Sequence, residues 1–469
     1  MIYITVVAAV VLVLCGVTIW KAISVRNEAD FLVAGRKLPW AVLVFTLLSS
    51  WIGAGSLFAG GENAYKNGFA ALWQPAGGWL GLIVIARIAG RARRFAQYTV
   101  PDLLETRYNA AARVLATIAI VISYTTIASY QMIAGGDVLH LIFPDLDRGT
   151  AMLMIAGFVI AFTAGAGMAS VAYLDLVIGG LMTTVVVIAF PVLVSASGGW
   201  DAITARLPQS HLEVFGNLTP QQALGYLIPS MLLLIGNQGM YQKFFSARSE
   251  RDARWAVFGW IAGALLLETL IVSIAVVGRA NFAPTADFNA REIIPTVARR
   301  GLPAVLGAVL LGGIFAKLIS TANNFLFSPA TNLIHDVYSR FIDPGASEKR
   351  KLVVSRLVVI GLGVYAVIQA TQFTSILDAA VYAYTVYGAA VTPVIMAVFF
   401  WKRATTAGAI ASIAIGTVVT VTWRLAGMRP ELGIYPGLGA SLACLLAVSL
   451  ATAPPAKEKI EPFFTEARE

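Results

Sequence analysis

Ser49-Ser50-Trp51-Ile52-Gly53-Ala54-Gly55-Ser56, followed by Gly60-Gly61, interrupts an apolar run spanning residues 40–62. A run of that length can cross a bilayer, which takes about 20 mostly apolar residues as a helix. Glycines and hydroxyl residues in its middle weaken the helix. One reading is close packing of neighbouring helices through small residues. The other is an unwound segment whose free carbonyls and half-helix ends bind a solute or an ion. A second interruption, Gly236-Asn237-Gln238-Gly239, falls near the end of another apolar run. The interrupted runs are the second and the seventh of the chain. That separation is the one an inverted repeat of five plus five helices produces.

Thirteen such runs are countable, near 2–20, 40–62, 69–90, 113–141, 150–166, 170–197, 221–240, 254–278, 303–331, 353–370, 375–400, 405–424 and 433–453. Of the 469 residues 58% are hydrophobic and 13% charged, against about 45–50% and about 25% in soluble domains. The expected class is therefore an all-α integral membrane protein. It has a single transmembrane domain over 1–453, core repeats near 40–197 and 221–400, and a short cytoplasmic tail at 454–469. The first run lacks a basic flank before it and a small-residue cleavage site after it, so it reads as a retained span. The net charge of +9 resides largely in basic loops such as Arg91, Arg93, Arg94 and Lys349-Arg350-Lys351, which points to membrane topology and away from nucleic acid. One set of loops holds 22 Lys and Arg, Lys243 among them, and the other holds nine. The positive-inside rule then puts the N-terminus outside and the C-terminus in the cytoplasm of a cell (inner) membrane. Neither the two cysteines nor the three histidines stand at metal-ligand spacing.

Ionisable groups at bilayer depth are functional by default. Glu62, Asp137 and Asp378 fall near run ends, where water or headgroups solvate them. Asp175, Glu268 and Lys317 do not. Lys317 lies in Gly312-Gly313-Ile314-Phe315-Ala316-Lys317-Leu318-Ile319-Ser320-Thr321-Ala322-Asn323-Asn324. Positions 313, 317, 320, 321, 324 and 328 share one helical face and read Gly, Lys, Ser, Thr, Asn, Ser. Such a stripe must face protein or a water-filled cavity. Its adjacent hydroxyls suit a hard monovalent cation.

These residues resemble the sodium:solute symporter family, which includes proline, sialic-acid and sugar symporters. Ala29-Asp30-Phe31-Leu32-Val33-Ala34-Gly35-Arg36-Lys37-Leu38-Pro39-Trp40 looks like the family's approach to its first core helix. Gln131-Met132-Ile133-Ala134-Gly135-Gly136 is similar to the third core helix. Gly236–Ala247 is similar to the end of the sixth, and Ser320-Thr321-Ala322 with Ser328–Leu333 and Asp336-Val337-Tyr338 to the eighth. The resemblance implies a leucine-transporter-type fold with one extra N-terminal helix and two extra C-terminal ones. It also implies alternating access and a sodium between the first and eighth core helices. The matching sodium ligands are the carbonyls of Ser49 and Ile52 and the hydroxyls of Ser320 and Thr321, with Asp175 on the inward exit path.

Lys317 departs from that pattern, since family members usually carry a small residue there. A fixed ammonium about 4 Å from a sodium costs about 4 kcal/mol at an effective dielectric of 20, roughly a thousandfold in affinity. Three outcomes are open: Lys317 replaces sodium, its ammonium held by Asp175 or by the helix carbonyls, with Glu268 a rival partner; it exchanges a proton and couples transport to H+; or it points away and Na+ binds as in relatives. Candidate solute contacts are Gly53, Ala54, Gly55, Ser56, Trp73, Gln74, Asn237, Gln238 and Tyr384, with Tyr382 and Tyr387 as further wall residues. Trp51 stands where relatives often have a polar or acidic residue. The expected function is cation-coupled symport of a small organic solute, in contact with membrane lipid. The rivals are a transporter-fold solute sensor and a sodium-independent carrier, proton-coupled or passive. An enzyme is not expected, because no nucleophile–base pair is legible.

Overall fold

The computed structural model describes residues 2–22, 37–95, 99–165, 168–285 and 288–464. The Ala29–Arg36 part of the approach motif, and Arg26 with it, lies outside them. The regular structure described is helical, apart from one isolated bridge between Leu38 and Ala247.

The main helices are α1 (Ile2–Ala22), α2 (Trp40–Trp51), α3 (Gly61–Asn67), α4 (Trp73–Phe95), α5 (Val100–Arg107), α6 (Ala110–Ile142), α7 (Arg148–Gly165), α8 (Met168–Ala196), α9 (Pro220–Gly236), α10 (Gln238–Ser246), α11 (Glu250–Asn281), α12 (Ala304–Thr331), α13 (Glu348–Ala370), α14 (Ile376–Ala390), α15 (Thr392–Phe400), α16 (Thr406–Leu425) and α17 (Ile434–Ala451). Among the described residues, eleven helical stretches are long and apolar enough to cross a membrane, with Ile2–Gly16 and Trp40–Trp51 as shorter apolar helices. Where helices break or run together, their bounds differ from those expected. Gly55–Ala89 forms one continuous stretch, and the expected 40–62 span divides at Ile52.

Many helix starts carry a cap written in the sequence. Asn109, Thr219, Ser249, Ser347, Ser375 and Thr405 each accept a hydrogen bond from a backbone N–H of the first turn. Each such cap contributes about 1 kcal/mol. Burial sorts the helices into shells. In the 304–342 and 376–400 stretches, 78% and 89% of the apolar window is buried, against 28% in 348–370. The polar-striped α12 is thus central, as its composition requires, and α13 is peripheral. The N-terminal helix α1 packs on α12, and α16 and α17 pack on each other.

Charge networks close both ends of the bundle. Asp137 on α6 accepts from Arg148 at 2.6 Å and from Arg291 at 2.9 Å. Arg113, at the other end of the same helix, donates to Asp336 at 2.8 Å, to Asp102 at 2.9 Å and to Glu105. Arg113 and Asp137 stand about 36 Å apart at 1.5 Å per residue. Glu62 pairs with Lys66 at 2.6 Å. Of the acids expected near span ends, Asp137 and Glu62 are therefore buried and paired.

Candidate functional site

Both interruptions are real breaks. Helix α2 stops at Trp51 and Ile52 is extended (φ −83°, ψ 102°), after which the chain resumes as a π-helical turn at Gly55–Gly60. Asn237 separates α9 from α10 with φ −56° and ψ 111°. The exposed backbone groups at this second break are claimed by side chains. Tyr387 Oη donates to the Gly236 carbonyl at 2.6 Å and accepts from Gln238 N at 3.1 Å. Asn237 Oδ1 accepts from Tyr124 Oη at 2.9 Å and from Met240 N at 3.2 Å.

Helices α2, α8, α10 and α12 meet around a buried polar cluster. Thr321 Oγ1 donates to the Ser49 carbonyl at 3.2 Å, and Ser49 and Ser320 hydroxyls lie 3.4 Å apart. Asp175 accepts from Thr46 Oγ1 at 2.6 Å and from Ser320 Oγ. Gly53 is held close to this cluster: a Cβ there would lie 2.8 Å from Thr321 Oγ1. Two lysines enter the same space. Lys243 Nζ donates to the Thr46 carbonyl at 2.9 Å and to Ser50 Oγ, and stands 4.0 Å from Asp175. Lys317 is buried within electrostatic reach of both Asp175 and Lys243, and its Nζ has no hydrogen-bond partner.

The arrangement thus brings together five of the six expected cation-site residues through direct contacts or charge: Ser49, Asp175, Lys317, Ser320 and Thr321. Ile52 is buried at the break beside them. Two expectations need correction. Lys243 is not a loop charge, because the break at Asn237 turns α10 inward and buries its side chain to 1% exposure. Glu268 does not pair with Lys317, because it faces a different space beside Trp51 and Trp79, while the charges nearest Lys317 are Asp175 and Lys243.

A second space, a narrow cleft of about 20 Å³, lies beside the first break and is lined by Trp51, Gly55, Ser56, Gln74, Ser230, Glu268 and Tyr384 among others. Glu268 Oε1 accepts from Trp51 Nε1 at 2.7 Å and from Ser56 Oγ at 3.4 Å, and Oε2 accepts from Trp79 Nε1 at 2.9 Å. Trp51 stacks on Tyr384 with ring centroids 6.3 Å apart.

Known proteins resemble this chain over nearly its whole length. The sequence pattern described as the sodium:solute symporter family matches residues 31–416. The chain belongs to the sodium:solute symporter family. The high-affinity proline transporter PutP of Bacillus subtilis (strain 168) is 24% identical, over 96% of this chain and 98% of its own. The sodium/proline symporter of Escherichia coli (strain K12) is 24% identical, over 91% of this chain and 88% of its own. The substrate-bound, outward-open structure of a Na+-coupled sialic acid symporter superposes with a TM-score of 0.83 at 16% identity, over 97% of this chain and 99% of its own. That likeness fixes the fold as leucine-transporter-type. Membership makes the chain a multi-pass membrane transporter, supports cation-coupled symport of a small solute, and sets aside an enzyme.

Within this symporter the expected solute contacts divide. Gly55, Ser56, Gln74 and Tyr384 line the cleft. Gly53 and Ala54 do not: Gly53 backs onto Thr321, and Ala54 N donates to Gln131 Oε1 at 2.8 Å. Asn237 caps its own break, and Gln238 accepts from Val100 N on α5. Trp73 turns away, donating to the Val214 carbonyl at 2.9 Å and stacking on Phe215. Glu268 as a cleft residue was visible as a mid-span acid. Ser230 carried no signal, since one serine in an apolar helix is common packing.

Proposed function

We propose that this family member is a secondary carrier for a small organic solute, working by alternating access, in which Lys243 and Lys317 take the place of sodium. The observation that carries the reading is Lys243. Its ammonium is coordinated by the Thr46 carbonyl and the Ser50 hydroxyl and lies 4.0 Å from Asp175. The hydroxyls that would ligate an ion are meanwhile engaged with each other, with Ser49 O and with Asp175. With both lysines protonated the cluster carries a net +1, and a bound sodium would raise it to +2 in a low-dielectric interior.

In this reading uptake proceeds without sodium. The basic loops face the cytoplasm, with the N-terminus outside. The second reading is ordinary sodium symport through Ser49, Ile52, Ser320 and Thr321. It is favoured by the sodium coupling named for relatives and by the intact hydroxyl pair on α12.

Thermal unfolding of purified protein over a sodium titration, at constant ionic strength with potassium, separates the two. A ligand that binds only the folded state raises its stability. The expected result is a flat response in wild type and a saturable sodium stabilisation in Lys317→Ala. Saturable stabilisation of wild type would overturn lysine replacement and establish sodium symport. L-proline, the solute in the names of several relatives, is the first to be tried for uptake.

A further inference from the structure

We infer that the cleft beside the first break recognises a solute bearing a positively charged nitrogen with N–H groups, an alkylammonium or a guanidinium, through Glu268. The inference rests on the proposed carrier function; it places the solute in this cleft and adds its chemical class.

Glu268 sits mid-way along α11, 4% exposed, on the wall of the cleft. Two indole N–H groups and one hydroxyl fill part of its acceptor capacity. Indoles only donate, so both carboxylate oxygens are presented as acceptors. Among the described residues no basic side chain lies within ion-pair distance of it, and Lys317 and Lys243 belong to the other cluster. A buried carboxylate without a counter-charge is costly. A cation arriving with the solute removes that cost.

Two further atoms point the same way. Gln74 Oε1 and Ser230 Oγ both line the cleft, are buried, and have no hydrogen-bond partner. Unmet oxygens call for donors, which an N–H cation supplies in several directions and a quaternary ammonium does not. The rest of the wall is apolar, with Pro75, Ile271 and Val272 beside two aromatic rings. The stacked Trp51 and Tyr384 rings present faces that attract a cation in a desolvated site. Among the described residues no Lys or Arg lines the cleft, so a solute carboxylate finds no counter-charge there.

The test uses one ring carrying four groups: cyclopentylammonium, cyclopentyltrimethylammonium, cyclopentanol and cyclopentanecarboxylate. Binding to purified wild-type protein is read by tryptophan fluorescence and by thermal shift, in sodium and in potassium buffers. Cyclopentylammonium is expected to bind at least about tenfold tighter than the alcohol, a modest part of what a buried pair is worth. The trimethylated cation is expected to bind more weakly than the primary one, and the carboxylate not at all. Glu268→Gln is expected to lower ammonium binding at least about tenfold and leave the alcohol unchanged. An alcohol or carboxylate that binds as well as the ammonium would overturn the inference, and so would absence of ammonium binding to wild type. If the variant fails to fold, the wild-type ranking alone decides. A sodium requirement in every arm would overturn lysine replacement while leaving this ranking intact.

Discussion

The charge reasoning is most exposed at the Lys243–Asp175 pair, and a double-mutant cycle reads it directly. Lys243→Met keeps the length of the side chain and removes the charge, stranding Asp175 in the interior. Removing one partner of a buried pair costs about 3–5 kcal/mol. Asp175→Asn strands Lys243 in the same way. The separation is 4.0 Å, which at an effective dielectric of 20 gives a coupling of about 4 kcal/mol. The double variant should therefore be less destabilised than the sum of the single ones by about that amount. Stability is read from denaturant or thermal unfolding of purified protein. A further arm combines Lys243→Met with Lys317→Ala, leaving Asp175 and three hydroxyls to face an added cation. Sodium at a hundred times its dissociation constant should then restore about 2.7 kcal/mol. A coupling below about 1 kcal/mol, the range of exposed pairs, would show that Lys243 carries no charge against Asp175. A double-lysine variant indifferent to sodium would show that the hydroxyl set is not an ion site.

Tyr387→Phe removes the donor to Gly236 O and the acceptor for Gln238 N. At about 1 kcal/mol for each hydrogen bond, stability measured by unfolding should fall by about 2 kcal/mol, and no loss would mean the break is held by other contacts. Gly77→Ala places a Cβ 2.0 Å from the Leu227 carbonyl. Overpacking of this kind costs about 1–3 kcal/mol or more, so the melting temperature should drop, and an unchanged value would refute the close approach of α4 and α9. His211 donates to the Tyr65 carbonyl at 3.1 Å, and burial holds it below its ordinary 6.5. The unfolded chain then takes up the proton more readily, so stability is full above pH 6.5 and falls as the pH drops below it. His211→Gln should flatten melting temperature against pH between about 5 and 6.5, and an unaltered slope would assign it to other groups.

The fold was legible because bilayer thickness imposes length and apolarity on each span, and the interruptions at 53–55 and 236–239 stood out, although the first also read as close packing through small residues. The polar stripe of α12 was legible for the same reason, since Ser320, Thr321 and Lys317 must face inward. Lys243 was not. The segment Gln238–Ser246 follows an apolar run and carries Gln238, Gln242 and Lys243, which reads as a loop. Only the turn at Asn237 sends it back into the core. Glu268 stood out as a mid-span acid, but its partners Trp51 and Trp79 come from helices about 200 residues earlier, and such pairing is set by topology rather than by local pattern. Asn237 and Gln238 were visible as polar groups in an apolar setting. That pattern does not distinguish groups that hold a broken backbone from groups that hold a ligand.

The bridge at Leu38 has a mechanical consequence. Leu38 N donates to the Ser246 carbonyl at 3.1 Å, and Arg248 N donates to the Leu38 carbonyl at 2.9 Å. These two bonds pin the beginning of α2 to the end of α10, and Lys243 pins the same two helices again at Thr46 and Ser50. One half of each broken helix is thereby riveted to the other into a single rigid strut. Displacing either half therefore carries the other with it.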